Sequence, residues 1–233
     1  MNIEYGSQDQ IQTIAQVAIS KLDPSLSRKF IGIMRFLESN REFATPSGRK
    51  NLVLFPSEAY IARKAQQFVK GRTAKHPGIP QTSHDLIVDE ILQHYFDVPQ
   101  ADLKRAEELH RMSMAAENII GELLERYLAT VMEPEGYIWC SGTLVRAVDF
   151  IKEPADAHAS WTLLQIKNRQ NSENSSSASV RKGTTINKWF RTFSMKNRTN
   201  WEQFPDRSIR EKVSEAGFRQ FVADFLRMQR TAP

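Results

Sequence analysis

Only one cysteine, Cys140, occurs in the 233 residues. An internal disulfide is therefore excluded, and no cysteine pair exists to hold zinc. A reducing, cytoplasmic setting is expected. Cys140 follows Ile138 and Trp139 in a strand-like stretch and reads as a small packed residue rather than a nucleophile. Long apolar runs are missing too: no stretch approaches the roughly 20 consecutive apolar residues of a membrane helix. The opening MNIEYGSQDQ has neither the basic flank nor the apolar core of a signal peptide. The five histidines are dispersed without metal-ligand spacing, and there is no Walker motif. The segments at 71–73 and 47–50 resemble phosphate-binding loops only loosely and read as surface turns. A metal in this chain must be held by oxygen ligands.

What is present is an ordinary globular composition, 40% hydrophobic and 25% charged, enough for one large domain or two small ones. The net charge of +5 is too small to identify a nucleic-acid partner. Its distribution is more informative. Residues 161–210 hold ten basic and three acidic residues, and the rest of the chain is slightly acidic.

Helical spacing dominates the first hundred residues. Ile11, Ile14, Val17, Ala18 and Leu22 form one stripe, and Phe30, Ile33, Met34 and Leu37 a second. A third helix starts at Ser57, after Pro56, with Tyr60, Ile61, Ala65 and Phe68 on one face. Residues 71–83 read as a loop and 83–96 as a short helix capped by Ser83. The strongest helix is expected over 102–132, where Ile120, Leu123, Leu124, Tyr127, Leu128 and Val131 recur at three-four spacing. The period then changes to short β-rich runs at 137–140, 144–151 and 161–167. A polar, low-complexity stretch follows Arg169, then a helical-looking 188–193 and a final helix over 208–228. The expected fold is α/β: a mixed-sheet core over 101–233 with a mostly helical region, 1–100, packed on it and further helices at the C-terminus.

The chemistry concentrates in LVRAVDFI and WTLLQIKNR. Residues two apart on a strand share a face, so Gln165 and Lys167 project together while Ile166 points away. If the two strands pair, the Asp149 carboxylate lies beside them at one sheet edge. Hydrolysing a phosphodiester calls for a hard divalent cation on oxygen ligands and a means of activating water. Asp149 offers a carboxylate, Gln165 an amide oxygen and Ile166 its backbone carbonyl. Lys167 is placed to orient or deprotonate water, or to stabilise charge on the phosphate.

This pattern resembles the PD-(D/E)XK nuclease superfamily, with Val148 in the place of the motif's proline and Gln165 in that of its glutamate. The second departure removes a negative charge, which the resemblance implies is made up by a carboxylate on the preceding helix. GELLER at 121–126, followed by Gly136, Tyr137, Ser141 and Gly142, resembles the opening of archaeal junction resolvases and makes Glu125 the matching acid. A helical wheel at ~100° per residue puts Glu117 inside the apolar stripe, Glu125 at its edge and Glu122 toward solvent. Glu117 and Glu125 are both retained. QIKNRQNSENSSSASVRKGTTINKWFR, with TNW after it, looks like the SinI-like type II restriction endonucleases, a likeness most specific over about 115–205. That resemblance implies Mg2+-dependent cleavage of both DNA strands at GG(A/T)CC, a homodimer, and a methyltransferase sharing the site.

The basic segment supplies the expected DNA contacts: Arg169, Asn171, Asn174, Ser175, Ser176, Ser177, Arg181, Lys182, Lys188 and Arg191. Arg and Lys neutralise phosphates, and Asn and Arg can also read base edges. Trp189, Phe190 and Phe193 read as core rather than as a stacking platform. Two alternatives stand beside the restriction enzyme. One is a structure-specific repair or junction nuclease. The other is a non-catalytic DNA-binding protein whose metal site has decayed, which Gln165 would explain.

Overall fold

A computed structural model describes residues 8–48, 52–81, 83–156, 159–170 and 185–231. Three helices come first: α1 (Gln8–Ser20), α2 (Ser27–Ser39) and α3 (Glu58–Arg72). Ser57 is the N-cap of α3, its hydroxyl accepting from the Tyr60 amide. Helix α4 (Leu86–Phe96) is capped by Asp85, which accepts from Ile87 N, and not by Ser83. The long helix α5 (Leu103–Met132) matches its apolar spacing.

The sheet is four-stranded and mixed, in the order β1 (Tyr137–Trp139), β2 (Phe150–Lys152), β3 (Thr162–Arg169), β4 (Ile186–Thr192). The first three strands are antiparallel neighbours, and β4 runs parallel to β3. Two helices close the chain, α6 (Arg207–Arg210) and α7 (Glu215–Thr231).

Three local expectations are corrected. The apolar run at 144–151 is strand only from Phe150. Thr143 and Ala147 take φ of 57° and 58°, which interrupts the extended backbone, while Leu144, Val145 and Val148 are buried as a packed turn. The helical-looking 188–193 lies mostly in β4. Its ladder on β3 seats Trp189 at 2% exposure with the indole donating to Asn200 O, so tertiary pairing overrides local spacing. The final helix is broken at 211–214, and α7 starts afresh where the Ser214 hydroxyl accepts from Gly217 N.

Alternation along β2 and β3 divides the apolar side chains between two cores. Ile151 and Leu163 join Cys140, Val148 and the stripes of α1, α2 and α3. Phe150, Leu164 and Ile166 join Trp139, Trp189 and the inner faces of α5 and α7. The N-terminal helices therefore cover one face of the sheet and α5 the other.

Two pins hold the α3 end to the sheet. A Cβ on Gly71 would fall under 3.0 Å from the Gly142 backbone, and one on Gly142 under 3.0 Å from Gln67 O. Gly142 also has φ of +78°. The other pin is Glu133, which bonds Lys29 at 2.5 Å and Arg72 at 2.6 Å. Burial alone would raise the Glu133 pKa, but Arg72 and Lys29 outweigh it and hold the carboxyl below its usual range.

Gly71→Ala and Gly142→Ala are each expected to cost about 1–3 kcal/mol from steric overlap, read as a lower urea midpoint. An unchanged midpoint would show that the close approach relaxes freely. The Glu133 contribution has a defined sign. A depressed folded pKa gives stability that is full above the unfolded value and lost as pH falls through the folded one. Wild type is therefore expected to lose stability below about pH 4.5 more steeply than Glu133→Gln, measured by urea titration at several pH values.

Candidate active site

Helix α5 positions the site through Arg126. This side chain is 8% exposed, and its guanidinium donates to the carbonyls of Gly71, Arg72 and Thr73 and to Glu122. The last carbonyls of a helix lack intrahelical partners and carry partial negative charge, so a cation there both caps α3 and locks it against α5. Glu122 is accordingly not free on the solvent side, since it pairs with Arg126 and with Lys75.

Arg126 and Arg72 both lie over the Trp139 ring, each 5.3 Å from its centroid. The Trp139 backbone is held at both ends, its N–H by Glu133 and its carbonyl by Arg72. Thus fixed, the indole N–H donates to Glu125 Oε2 at 2.9 Å. The sequence marks Arg72 only as part of a surface turn and Arg126 only as the end of GELLER, and gives Trp139 no role in the site. The available signal was that Tyr137 and Trp139 share one face of β1, the face turned toward α5.

Asp149 sits immediately before β2 and is tied to its neighbours by its backbone. Its amide donates to Leu164 O, and its carbonyl accepts from Cys140 N, both at 2.8 Å. Its Oδ2 accepts from Ile166 N at 2.6 Å. The carboxylate is thereby held against β3 where Gln165 and Lys167 emerge. Gln165 is buried and Lys167 half-buried, and register pairs them with Lys188 and Phe190 of β4. Ile166 packs into the opposite core.

Burial, followed by the negative charge of Asp149, pushes the Glu125 carboxyl well above its usual range, while Trp139 and Lys167 pull it back. Burial likewise raises Asp149, against the Ile166 amide and Lys167. Two buried carboxylates, of which Asp149 raises Glu125, with Lys167 close by, form a site short of positive charge. Among the described residues no three His, Cys, Asp or Glu side chains group as a metal site. The groups that could hold a cation are the carboxylates of Glu125 and Asp149, with the Gln165 amide and the Ile166 carbonyl on the adjoining strand. Such hard neutral and anionic oxygens would suit a hard divalent cation rather than a soft one.

The structure brings Glu125, Asp149 and Lys167 together, with Gln165 one register step away, and leaves Glu117 out. Glu117 is exposed, about 12 Å along the helix from Glu125 at 1.5 Å per residue. The wheel misleads because it extends a stripe read over 120–131, whereas around Glu117 the buried positions are Ala115 and Ile119, each roughly 200° round the helix from it. Arg169 is exposed at the end of β3, and Lys188 is half-buried opposite Gln165. Arg191 is committed inside the protein, bonded to Asn168 at 3.0 Å and to both oxygens of Glu215. Asn171, Asn174, Ser175, Ser176, Ser177, Arg181 and Lys182 lie outside the described residues. Lys196 and Arg198, also part of the basic segment, lie in the turn from Ser194 to Arg198, where Met195 is 93% exposed.

An acid at the start of one strand, Gln-x-Lys on the next, and a glutamate from the helix packed across them define a restriction-endonuclease-like α/β protein. Residues 11–228 match the model of the SinI restriction endonuclease family. The chain is 44% identical over 220 residues to the type II restriction enzyme SinI of Salmonella infantis, covering 94% of this chain and 95% of the relative. It is 43% identical over 227 residues to the type II restriction enzyme Eco47I of Escherichia coli, covering 97% and 98%. The chain belongs to the SinI restriction endonuclease family.

Trp139→Phe keeps the ring and removes only the indole donor. A hydrogen bond to a charged group is worth roughly 1.5–3 kcal/mol, so DNA cleavage is expected to fall on the order of tenfold to a hundredfold with the melting temperature little changed. An unaltered rate would show that Glu125 does not depend on this donor.

Proposed function

We propose that the protein is a type II restriction endonuclease that uses Mg2+ to cut both strands of DNA at GG(A/T)CC. The observation that carries the chemistry is the convergence of Glu125 and Asp149 on the strand bearing Gln165 and Lys167. The recognition sequence rests on the resemblance to the SinI-like enzymes. In this reading residues 101–233 form the catalytic and DNA-binding part, and 1–100 a helical layer bracing it. A methyltransferase protecting the same sequence is the implied partner, and the working unit is a homodimer in a cytoplasm.

Asp149, Gln165, Glu125 and the Ile166 carbonyl would hold the cation. When bound, Mg2+ supplies positive charge against that developing on the scissile phosphate. Each carboxylate has one oxygen engaged in the protein, Oδ2 by Ile166 N and Oε2 by Trp139, so each is aimed before any ligand arrives. The Gln165 amide adds an oxygen without adding charge, and Glu125 supplies the charge that Gln165 lacks. Lys167 places its ammonium beside the phosphate and the attacking water, where it can steer the water and offset negative charge in the transition state.

DNA would run along the face where β3 ends. Gln165, Lys167 and Arg169 succeed one another on one side of that strand, so Arg169 extends positive charge outward from the site. Lys188 broadens it across β4, and the turn with Lys196 and Arg198 borders a cleft next to Arg169. Arg191, held by Glu215, shapes that cleft. Asn171, Asn174, Ser175, Ser176, Ser177, Arg181 and Lys182 remain the proposed source of further phosphate and base contacts.

Digesting plasmid DNA of known sequence with and without Mg2+ tests this reading. Discrete fragments ending at GG(A/T)CC are expected only with the cation. A smear or branch-dependent cutting would favour the structure-specific nuclease, and no cutting across salt and Mn2+ would favour the decayed site. Asp149→Ala, Glu125→Ala and Lys167→Ala are each expected to reduce cleavage at least about a hundredfold, whereas Glu117→Ala cuts like wild type.

A further inference from the structure

The first half of α5 and all of α4 stand apart from both cores. Helix α4 buries no residue, and α5 buries none before Ala115. The two flank a groove lined by Val88 and Leu92 of α4 and by Ala106, His110 and Met114 of α5. The outer side of α4 is apolar as well. Ile87, Ile91 and Tyr95 follow at i, i+4 and i+8, and Leu86 and Phe96 stand at the two ends. These five side chains expose between 50% and 78% of their surface.

Taking ~200 Å2 for a large apolar side chain, the ridge presents on the order of 650 Å2. That exceeds the few hundred Å2 of an ordinary apolar patch and falls within the roughly 600–1,000 Å2 each partner buries in a stable interface. The charge around it narrows the occupant. Residues 83–114 carry seven acidic and three basic residues. An acidic arm repels phosphate backbones and anionic lipid, so neither DNA nor a membrane surface suits it.

We propose that the α4 ridge is the surface on which a second copy of this chain docks, pairing the two arms about a two-fold axis. A single ridge of apolar side chains at helical spacing is self-complementary, because each copy's ridge can lie against its mate's. The acidic groups then fall at the rim, where salt screens their repulsion. The arm is continuous with the site: α5 carries the exposed Leu109 and Met112 in its first half and Glu125 in its second. Docking the arms therefore sets two Glu125 and Asp149 pairs at a defined separation. The need for two such centres rests on the double-strand cleavage proposed above, but the surface itself can be tested without DNA.

Sedimentation of the full chain at micromolar concentration is expected to give the mass of two chains, and to do so in salt high enough to abolish DNA binding. Ile91→Glu is expected to halve that mass with its circular dichroism unchanged. Val17→Glu, in the separate groove between α1 and α3, is expected to leave it intact. Tyr95→Cys supplies a check should Ile91→Glu fail to fold. The native Cys140 is buried, so a short bis-maleimide is expected to join two Tyr95→Cys chains, and not two chains bearing Met195→Cys. A one-chain wild type, a two-chain Ile91→Glu, dissociation by Val17→Glu, or no joining through Tyr95→Cys would each overturn the assignment. Loss of DNA cutting with these masses unchanged would count against the nuclease reading alone.

Discussion

The Trp139 indole, held under two guanidinium groups and donating to Glu125, is the contact on which the arrangement of the candidate site depends. Its reach extends in both directions. Through Arg126 it is joined to the C-terminus of α3, so the N-terminal helices and α5 share one anchor. Through Glu125 it reaches the electrostatics of Asp149 and Lys167. The glutamate on α5 and the aspartate before β2 come from opposite sides of a strand ladder. They can meet only if the helix is fixed in both position and rotation. Apolar packing of Leu123, Leu124 and Leu128 sets the distance of α5 from the sheet, but sliding along the helix axis changes such contacts little. Directional bonds from Arg126 to three carbonyls and from Trp139 to one carboxylate resist that slide.

The same network explains how the fold tolerates two carboxylates whose pKa values burial raises, Glu125 being pushed further by the charge of Asp149. An isolated buried charge is expensive, and the protein answers with specific donors: an indole for Glu125, a backbone amide for Asp149, and Lys167 between them. Those donors satisfy one oxygen of each acid and leave a deficit of positive charge. Gln165 fits this balance. A third carboxylate at that position would deepen the repulsion, whereas an amide contributes an oxygen at no electrostatic cost. In the proposed site, the departure from the superfamily pattern on β3 and Glu125 on α5 would be two halves of one charge arrangement.

How much of this was legible depends on whether the controlling interaction was local. Three-four spacing located α5 because thirty consecutive residues repeat it. Ser57 could be read as a cap because capping involves neighbours. Gln165 and Lys167 could be placed on one face because a strand alternates strictly. What failed involved partners distant in sequence. Residues 188–193 have helical-looking aromatics, and only the ladder to β3 makes them a strand. The run at 144–148 is apolar enough for a strand, and two left-handed residues turn it into a buried loop. Glu117 looked buried because the wheel carried the stripe of 120–131 straight back, whereas the buried side there is marked by Ala115 and Ile119, roughly opposite Glu117. Trp139 was invisible because its role is set by Arg72, Arg126 and Glu133, which a reading of β1 alone cannot gather.

A single stripe carried along α5 also hides the chain's second division of labour. Charge is segregated along the sequence: basic over 161–210, where β3 and β4 end near the candidate site, and acidic over 83–114, where α4 and the first half of α5 leave the core. If the arm served only to brace the sheet, its apolar residues would turn inward, as those of α2 do; instead α4 keeps an apolar side on each flank. If it served DNA, its charge would have the opposite sign. An apolar ridge on an acidic support suits a protein surface, and a basic strand end suits a phosphate backbone. Helix α5 runs from one to the other, so a partner on the arm and a nucleic acid at the site would be coupled through a single rigid element.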